Sequence, residues 1–269
     1  MLRVMTWNIR TGGRDRAGPG RLDLVARVVA AHRPDLLAAQ ELRGFDAGSV
    51  LADFAAGLGM RPYLARSWFG QPVAVLVRPP LRVLTAGPVR RPFHHAAQRV
   101  TVATDAGPLT VLAAHLDPYR GLRRRVEAGW LAAAVRRSPG PLALLAGDLN
   151  TLDPDSDHTA RIARLPPAYR RRHLRRDGRT PDTRAVTRLA AAGLVDLYAS
   201  APGDPPDEGL TAPTRHGGGA EFSGMRLDYL FATPALARLA RSRAVLRGGE
   251  TEWASDHYPV LAEFDVRPA

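Results

Sequence analysis

The stretch that decides the fold is Leu142-Ala143-Leu144-Leu145-Ala146-Gly147-Asp148-Leu149-Asn150. Its first part, Leu142–Leu145, is an apolar run of the length of a buried strand, and Gly147-Asp148-Leu149-Asn150 completes it. The end of a strand is where a rigid scaffold presents polar side chains to a cleft. An Asp-X-Asn sequence taken alone also forms ordinary turns. Its meaning therefore depends on whether the pattern recurs along the chain.

Polar residues stand at the ends of apolar runs, or within one, in five further places. They are Asn8 after Val4–Trp7, Gln40-Glu41 after Leu36–Ala39, His115 after Val111–Ala114, Asp228 within Arg226-Leu227-Asp228-Tyr229-Leu230-Phe231, and Ser255-Asp256-His257 before Tyr258–Val266. Each of them alone has a plain structural interpretation, as a solvated turn or a surface pair. Their joint occurrence in one chain predicts a shared cleft.

The runs around these residues alternate between strand and helix patterns. The predicted strands are Leu2–Ile9, Asp35–Glu41, Val73–Val77, Arg82–Val89, Val100–Thr104, Leu109–His115, Leu142–Leu145, Leu194–Tyr198, Leu227–Ala232 and Tyr258–Val266. The predicted helices are Arg21–His32, Val50–Leu58, Arg120–Val135 and Ala185–Ala192. The third helix carries an apolar stripe at spacings of four, four and three, formed by Leu122, Val126, Trp130 and Ala133. Without a repeat or a linker-like change in composition, this alternation predicts one α/β domain over residues 1–269, with packed sheets and outer helices.

Composition excludes several classes of protein. The 269 residues include no cysteine, which excludes disulfides, cysteine–zinc sites and thiolate nucleophiles together. A hydrophobic fraction of 45% excludes an intrinsically disordered chain. The start of the chain lacks the apolar core of a signal peptide, and no run reaches the roughly 18 apolar residues of a transmembrane helix. We therefore expect a cytoplasmic protein without membrane insertion.

The charge is high but does not by itself identify a partner. The formal net charge is +12, and all 38 basic residues are arginine, in a chain with the Ala, Gly and Pro content of a GC-biased genome. The arginines concentrate in Arg161–Arg188, an insert-like segment in which ten Arg and two Asp contribute +8. We expect this segment to form an exposed basic lobe beside the cleft. It either contacts a substrate or partner, or is simply solvated.

The residues of the predicted cleft suit metal-assisted attack of water on a phosphoester. Glu41, Asp148 and Asp256 supply the hard carboxylate oxygens that Mg²⁺ and Mn²⁺ prefer. His257 can take a proton from water, and a carboxylate such as Asp228 would orient the imidazole and stabilise its charged form. Hydrogen bonds to the phosphate would come from His115 and Asn8.

These motifs and their order resemble the endonuclease/exonuclease/phosphatase superfamily, which includes DNase I, exonuclease III and neutral sphingomyelinases. The resemblance runs from Thr6-Trp7-Asn8 to Ser255-Asp256-His257. The motifs Gly147-Asp148-Leu149-Asn150 and Ser255-Asp256-His257 are specific as a pair, and Arg226-Leu227-Asp228-Tyr229 lies between them. It implies a DNase I-like α/β fold, a four-layer sandwich in which two mixed β-sheets pack face to face and helices flank them. It also implies a divalent-metal-dependent phosphodiesterase or nuclease that uses a His-activated water and Mg²⁺, with Mn²⁺ as an alternative ion.

The resemblance assigns a role to each matching position. The positions of metal ligands are Glu41, Asp256 and Asn8. The catalytic positions begin with His257 and with Asp228, which orients it. Asp148 and Asn150 position the water and stabilise the transition state, and His115 is the last catalytic position. The positions that contact the substrate phosphate are Asn8, Arg10, His115 and Asn150.

The identity of the substrate stays open at this stage. A nuclease and an enzyme acting on a small-molecule or lipid-head-group phosphoester are both compatible with the motifs. Abasic-site repair is unexpected, because the residues after Glu41 and the identity of His115 differ from those of abasic-site endonucleases. A non-catalytic relative that binds phosphate or nucleic acid is the remaining alternative, although it would not need the full set of catalytic residues. No feature of the sequence indicates a protein partner.

Overall fold

A computed structural model describes residues 1–14, 20–198 and 207–269. The strands of these ranges are β1 (Leu2–Asn8), β2 (Leu36–Gln40), β3 (Arg61–Ala65), β4 (Val73–Val77), β5 (Val83–Pro88), β6 (Ala96–Thr104), β7 (Gly107–His115), β8 (Leu142–Asp148), β9 (Val195–Asp196), β10 (Asp228–Ala232), β11 (Ala240–Val245) and β12 (Val260–Phe264). The helical segments are α1 (Arg10–Gly13), α2 (Leu22–His32), α3 (Val50–Gly57), α4 (Gly121–Arg136), α5 (Thr159–Arg164), α6 (Pro167–Arg170), α7 (Arg184–Ala190), α8 (Pro234–Ala237) and α9 (Thr251–Ala254). The first of these, α1, is a turn in which all four residues have left-handed φ values.

The strands form two mixed six-stranded sheets with the same pattern of parallel and antiparallel neighbours. Their orders are β11-β12-β1-β2-β4-β3 and β5-β6-β7-β8-β10-β9. In each sheet one central pair is parallel, β1 with β2 and β7 with β8, and the other neighbours are antiparallel. Because the strands of a parallel pair end at the same edge of the sheet, the polar residues after β1 and β2 become neighbours, as do those after β7 and β8.

The two sheets pack face to face and helices cover their outer faces. Alternate residues of β1 show this directly, because Val4 contacts the core between the sheets while Met5 contacts the core under α2 and α3. Helices α4 and α7 cover the second sheet in the same way. Central strands buried on both faces are apolar throughout, which is why they appear in the sequence as continuous apolar runs. The predicted four-layer α/β sandwich is confirmed.

Two strands absent from the sequence prediction, β3 and β11, are the edge strands of the first sheet. Their sequences, Arg61-Pro62-Tyr63-Leu64-Ala65 and Ala240-Arg241-Ser242-Arg243-Ala244-Val245, are largely half-exposed or exposed. An edge strand pairs on one side only and tolerates proline and charge, so it lacks the apolar run that marks a central strand.

The predicted helix at Arg120–Val135 is present as α4, but its apolar stripe does not face the core. Leu122 and Val126 are 45% and 43% exposed, whereas Arg124 and Glu127 are completely buried. The Glu127 carboxylate accepts the backbone N–H groups of His94 at 2.6 Å and Asp117 at 2.9 Å. The helix is therefore oriented by polar side chains that satisfy buried loop backbone, which an apolar periodicity does not reveal.

The arginine-rich segment is a folded part of the surface. After α5 and α6, a β-bridge pairs Leu174 with Pro181, and the buried Arg124 donates to the Arg172 carbonyl at 2.7 Å. All ten of its arginines are half-exposed or exposed. Its last part, α7, packs against α4 in the outer layer through Ala185 and Leu189, so this portion belongs to the sandwich. Among the described residues, no helix is long and apolar enough to cross a membrane.

Candidate active site

Asp148, the last residue of β8, is the centre of a buried polar cluster. It is the direct register partner of His115 on β7 and of Asp228 on β10. The preceding residue must be glycine, because a Cβ on Gly147 would lie 2.0 Å from the carbonyl oxygen of Ala114, and its φ is +153°. The local sequence thus allows β8 to lie close to β7 and sets the carboxylate at the edge of the sheet.

Asn8 connects this cluster to the other sheet. Its Nδ2 donates to Asp148 Oδ2 at 3.0 Å and to Glu41 Oε1 at 3.2 Å. Its Oδ1, the atom that would ligate a metal, accepts the backbone N–H of Arg10 at 3.0 Å. One buried amide therefore fixes the relative positions of two carboxylates from different sheets.

Glu41 is held in a defined position just after β2. Its φ of +58° lies in the left-handed region, which is uncommon for a residue with a side chain and is often found at functional sites. Its Oε2 accepts hydrogen bonds from the Thr11 backbone at 2.9 Å and from Gln71 Nε2 at 3.1 Å. Gln71 has no recognisable motif in the sequence and reaches the site only through the fold.

Asp256 precedes the last strand and is close enough to Glu41 for their charges to interact. Burial raises the pKa of the Asp256 carboxyl, and the negative charge of Glu41 adds to this, although His257 and Arg10 oppose it. The Nε atom of Arg10 lies 3.5 Å from Asp256 Oδ2. Two carboxylates with hard oxygen donors are a donor set that fits a divalent cation.

A second acidic group surrounds His257. Its Nδ1 lies 2.7 Å from Asp228 Oδ2, and its Nε2 lies 4.0 Å from Asp148 Oδ2. In the part of the chain that the structure describes, these three residues are the cluster whose ligand atoms are close enough for a metal, within 4.8 Å. Because Asp228 already accepts a hydrogen bond from the imidazole, the arrangement equally resembles the orienting pair of a proton-transfer site.

The charges of this cluster are strongly interdependent. Burial by itself would lower the pKa of His257, but the carboxylates of Asp228, Asp148 and Asp256 outweigh it and raise that pKa well above its ordinary value. Burial raises the pKa of the Asp148 carboxyl, with a contribution from Asp228 and opposition from His257. A proton placed on the His257 ring is therefore stabilised by its surroundings.

The remaining predicted residues also lie at this edge. The Asn150 backbone donates to Asp148 Oδ1 at 2.8 Å, and its side chain donates to the Leu116 carbonyl at 3.1 Å. His115 Nε2 lies 3.4 Å from Asp148 Oδ2. Burial lowers the pKa of His115 to about 3, so the ring is neutral near pH 7. The structure brings together all the site residues predicted from the sequence.

Other histidines of the site were not predicted. Three histidines outside the sequence motifs, His95, His158 and His173, are buried. A cavity of about 520 Å³ opens over Asp148 and His257, and its lining includes His94, His95 and His173. The His95 ring stacks on His115 with 4.1 Å between centroids. These histidines lie in loops, two of them just before β6, away from any ligand-like spacing, so no local signal identified them.

The family follows from comparison of the whole sequence. The sequence model described as "Endonuclease/Exonuclease/phosphatase family" matches residues 5–257, from β1 to His257. The chain belongs to this family. Membership supports hydrolysis of phosphoester bonds as the class of reaction. A comparison with curated proteins gave no match.

Solved structures of similar fold include several members of this family. Truncated TDP2 from Caenorhabditis elegans superposes with a TM-score of 0.67 at 20% identity, covering 100% of this chain and 98% of that chain. An AP endonuclease from Archaeoglobus fulgidus superposes with a TM-score of 0.70 at 19% identity, covering 98% of this chain and 100% of that chain. The 3′ phosphatase NExo from Neisseria, bound to a product DNA hairpin, superposes with a TM-score of 0.66 at 19% identity and with the same coverages. At this level of identity the likeness establishes the fold.

Proposed function

We propose that the protein is a divalent-metal-dependent phosphodiesterase that hydrolyses nucleic acid with a water activated by His257. The observation that carries this proposal is the hydrogen bond between His257 and Asp228, which turns the other ring nitrogen toward Asp148 in the lining of the cavity. A ring nitrogen that faces such a cavity, while a carboxylate holds the other nitrogen, is placed for proton transfer with a water.

Glu41 and Asp256 would hold the divalent cation. Their oxygens are hard donors of the kind that Mg²⁺ and Mn²⁺ select, and Asn8 fastens Glu41 to the rest of the site. When bound, such an ion polarises a phosphoryl oxygen and offsets negative charge in the transition state. The half-exposed Arg10 beside Asp256 adds a positive charge that can contact the same phosphate.

The protein's own residues would handle the water and its proton. Asp148 and Asn150 would position the water, because their polar groups line the cavity next to His257. The proton would pass to His257 Nε2, and Asp228 would hold the ring orientation and stabilise its positive charge. Neutral His115 would donate a hydrogen bond to a phosphate oxygen.

Two observations favour nucleic acid over a small phosphoester. The cavity is continuous with arginine-bearing surface, since Arg43 and Arg172 line it together with the catalytic groups. In addition, the Neisseria 3′ phosphatase of the same fold is described in a complex with a DNA hairpin. A basic rim raises the local concentration of a polyanion and guides it to the cleft.

We also propose a cytoplasmic location.

A hydrolysis panel tests the proposal. Purified protein with Mg²⁺ or Mn²⁺ is offered bis-p-nitrophenyl phosphate, p-nitrophenyl phosphate, plasmid DNA, RNA and sphingomyelin. We expect hydrolysis of the diester and of nucleic acid, and its loss in EDTA. Turnover of the monoester or of sphingomyelin alone would overturn the proposed substrate class. Full activity in EDTA would overturn the metal requirement, and absence of all turnover with tight nucleic-acid binding would indicate a non-catalytic relative.

A further inference from the structure

A second and larger cavity lies beside the active site. Its volume is about 1240 Å³, and it runs between the first half of α4 and the arginine-rich segment. Its apolar wall includes Leu122 and Val126, two apolar residues of α4 that face away from the core. Apolar side chains exposed together in a concave surface indicate a binding site more than a solvated helix face.

The groove continues into the active-site cavity through one aromatic residue. Tyr119 lines both cavities and is 55% exposed. The guanidinium of Arg172 lies over the Tyr119 ring at 5.1 Å, and the His94 ring meets Tyr119 edge-on at 5.7 Å. Phe69, 61% exposed, stacks on His94 with 4.3 Å between centroids. Aromatic faces therefore follow one another along the rim from the catalytic cavity to the groove.

The charge of the groove is strongly positive. Its lining includes seven arginines and two aspartates. Both carboxylates are already satisfied, since Asp177 accepts hydrogen bonds from Thr180 and Asp182 accepts them from Arg184. Arg175 and Arg176 are exposed, so they can contact a ligand without breaking a described ion pair. The matching ligand carries repeated negative charge together with flat apolar groups.

We propose that this groove binds a single-stranded segment of the nucleic-acid substrate as it leaves the catalytic cavity past Tyr119. The inference rests on the proposed function and specifies its substrate class. Bases would contact Leu122, Val126 and the Tyr119 ring, and the phosphates between them would contact the arginines. A single strand presents both groups in alternation, whereas a duplex hides the faces of its bases. An acidic peptide would match the charge, but it would have no reason to continue into the catalytic cavity.

Binding is measured by fluorescence anisotropy in EDTA, so that no cleavage occurs. The probes are a labelled twelve-residue oligothymidylate and an abasic oligonucleotide of the same length, which has the same phosphates without bases. We expect the oligothymidylate to bind at least about tenfold more tightly, because stacking of one base on an aromatic or apolar surface has an effect of this order. Equal affinity for the two probes would overturn the proposal.

Variants of the groove give the second comparison. Leu122→Gln/Val126→Gln removes the apolar wall without changing charge, and should weaken oligothymidylate binding about tenfold while leaving a twelve-base-pair duplex hairpin unchanged. Arg175→Gln/Arg176→Gln should flatten the slope of log affinity against log salt by about 0.7 for each lost phosphate contact. The matched control is Arg136→Gln/Arg137→Gln, at the other end of α4 and about 20 Å along the helix axis from Leu122. It should bind both probes as the wild type does.

The results separate this proposal from the proposed function. All these variants should hydrolyse bis-p-nitrophenyl phosphate at the wild-type rate, because none touches the catalytic cluster. Wild-type protein that hydrolyses no diester but binds the oligothymidylate through the groove would contradict the proposed function and support the proposal that the groove binds a single strand. If groove variants bind it as well as the wild type does, or if an acidic leucine-rich helical peptide binds there and the oligothymidylate does not, the groove proposal is wrong.

Discussion

Asp148 and Asp228 are opposite one another on the antiparallel strands β8 and β10, and His257 lies between their carboxylates. The nearer contact is Asp228 Oδ2 with Nδ1 at 2.7 Å, and the farther one is Asp148 Oδ2 with Nε2 at 4.0 Å. The T-shaped contact of Phe222 with the ring, at 5.2 Å, adds an apolar wall. The β8–β10 register thus determines which nitrogen of His257 is oriented and which faces the cavity.

Replacing His257 should damage catalysis more than replacing its partner. We expect His257→Ala to lower kcat for bis-p-nitrophenyl phosphate by about 10²- to 10⁴-fold, because the proton acceptor is lost. Asp228→Asn should lower kcat less, because the His257 ring remains and only its orientation and the stabilisation of its charge are impaired. Circular dichroism and the thermal midpoint serve as controls for folding. An Asp228→Asn variant with the wild-type rate would contradict the proposed pairing.

Glu41→Gln tests the proposed metal site. The substitution keeps the size of the side chain but removes its charge, so we expect weaker binding of Mn²⁺ by calorimetry and a loss of activity on the order of 10²-fold or more. Glu221→Gln is a matched control, because Glu221 lines the same cavity apart from the carboxylate cluster. Unchanged Mn²⁺ affinity in Glu41→Gln would exclude Glu41 as a metal ligand.

Gly147→Ala tests the close packing that positions Asp148. The new methyl group would meet the Ala114 carbonyl at 2.0 Å in a left-handed backbone conformation, so we expect a loss of about 3 kcal/mol or more in the free energy of unfolding. Gly57→Ala is the control, since Gly57 ends α3 with open space around its Cβ position. It should stabilise the protein by about 0.5–1 kcal/mol. Urea unfolding measures both, and similar values for the two variants would contradict the packing argument.

His173 should make stability depend on pH on the acid side. Burial, with help from the positive charges of Arg124 and Arg172, lowers its pKa from 6.5 to about 3. Between these values the unfolded chain binds more protons than the folded one. The contribution of His173 to the free energy of unfolding is therefore complete above about pH 6.5. It is lost as the pH falls, with a slope of about 1.4 kcal/mol per pH unit between the two pKa values.

His173→Gln should remove this contribution. We expect its free energy of unfolding, measured in urea from pH 4.5 to 7, to fall less steeply with acid than that of the wild type. His216→Gln, a substitution at an exposed histidine, should retain the wild-type slope. Parallel slopes for His173→Gln and the wild type would show that the folded protein takes up a proton at His173 as readily as the unfolded chain.

Much of the fold and the carboxylate cluster could be predicted because the responsible signals are local. Strands covered on both faces must be apolar throughout, so β1, β2, β7 and β8 are visible as runs, and the polar residue that ends each run is conspicuous. The two parallel pairs then bring these ends together, as the hydrogen bonds of Asn8 to Glu41 and Asp148 show. The order of these motifs also sufficed to indicate the family.

The sequence by itself therefore determined the alternating elements, the family and the residues of the carboxylate cluster. Only the tertiary structure decided the orientation of α4, the edge strands, the place of Gln71 and the burial of His95 and His173. These features depend on contacts between residues far apart in the chain, such as Glu127 with the backbone of His94. A periodic pattern records which side chains are apolar, but it does not record which buried polar groups a helix must satisfy. That requirement turned Leu122 and Val126 outward and formed the groove beside the active site.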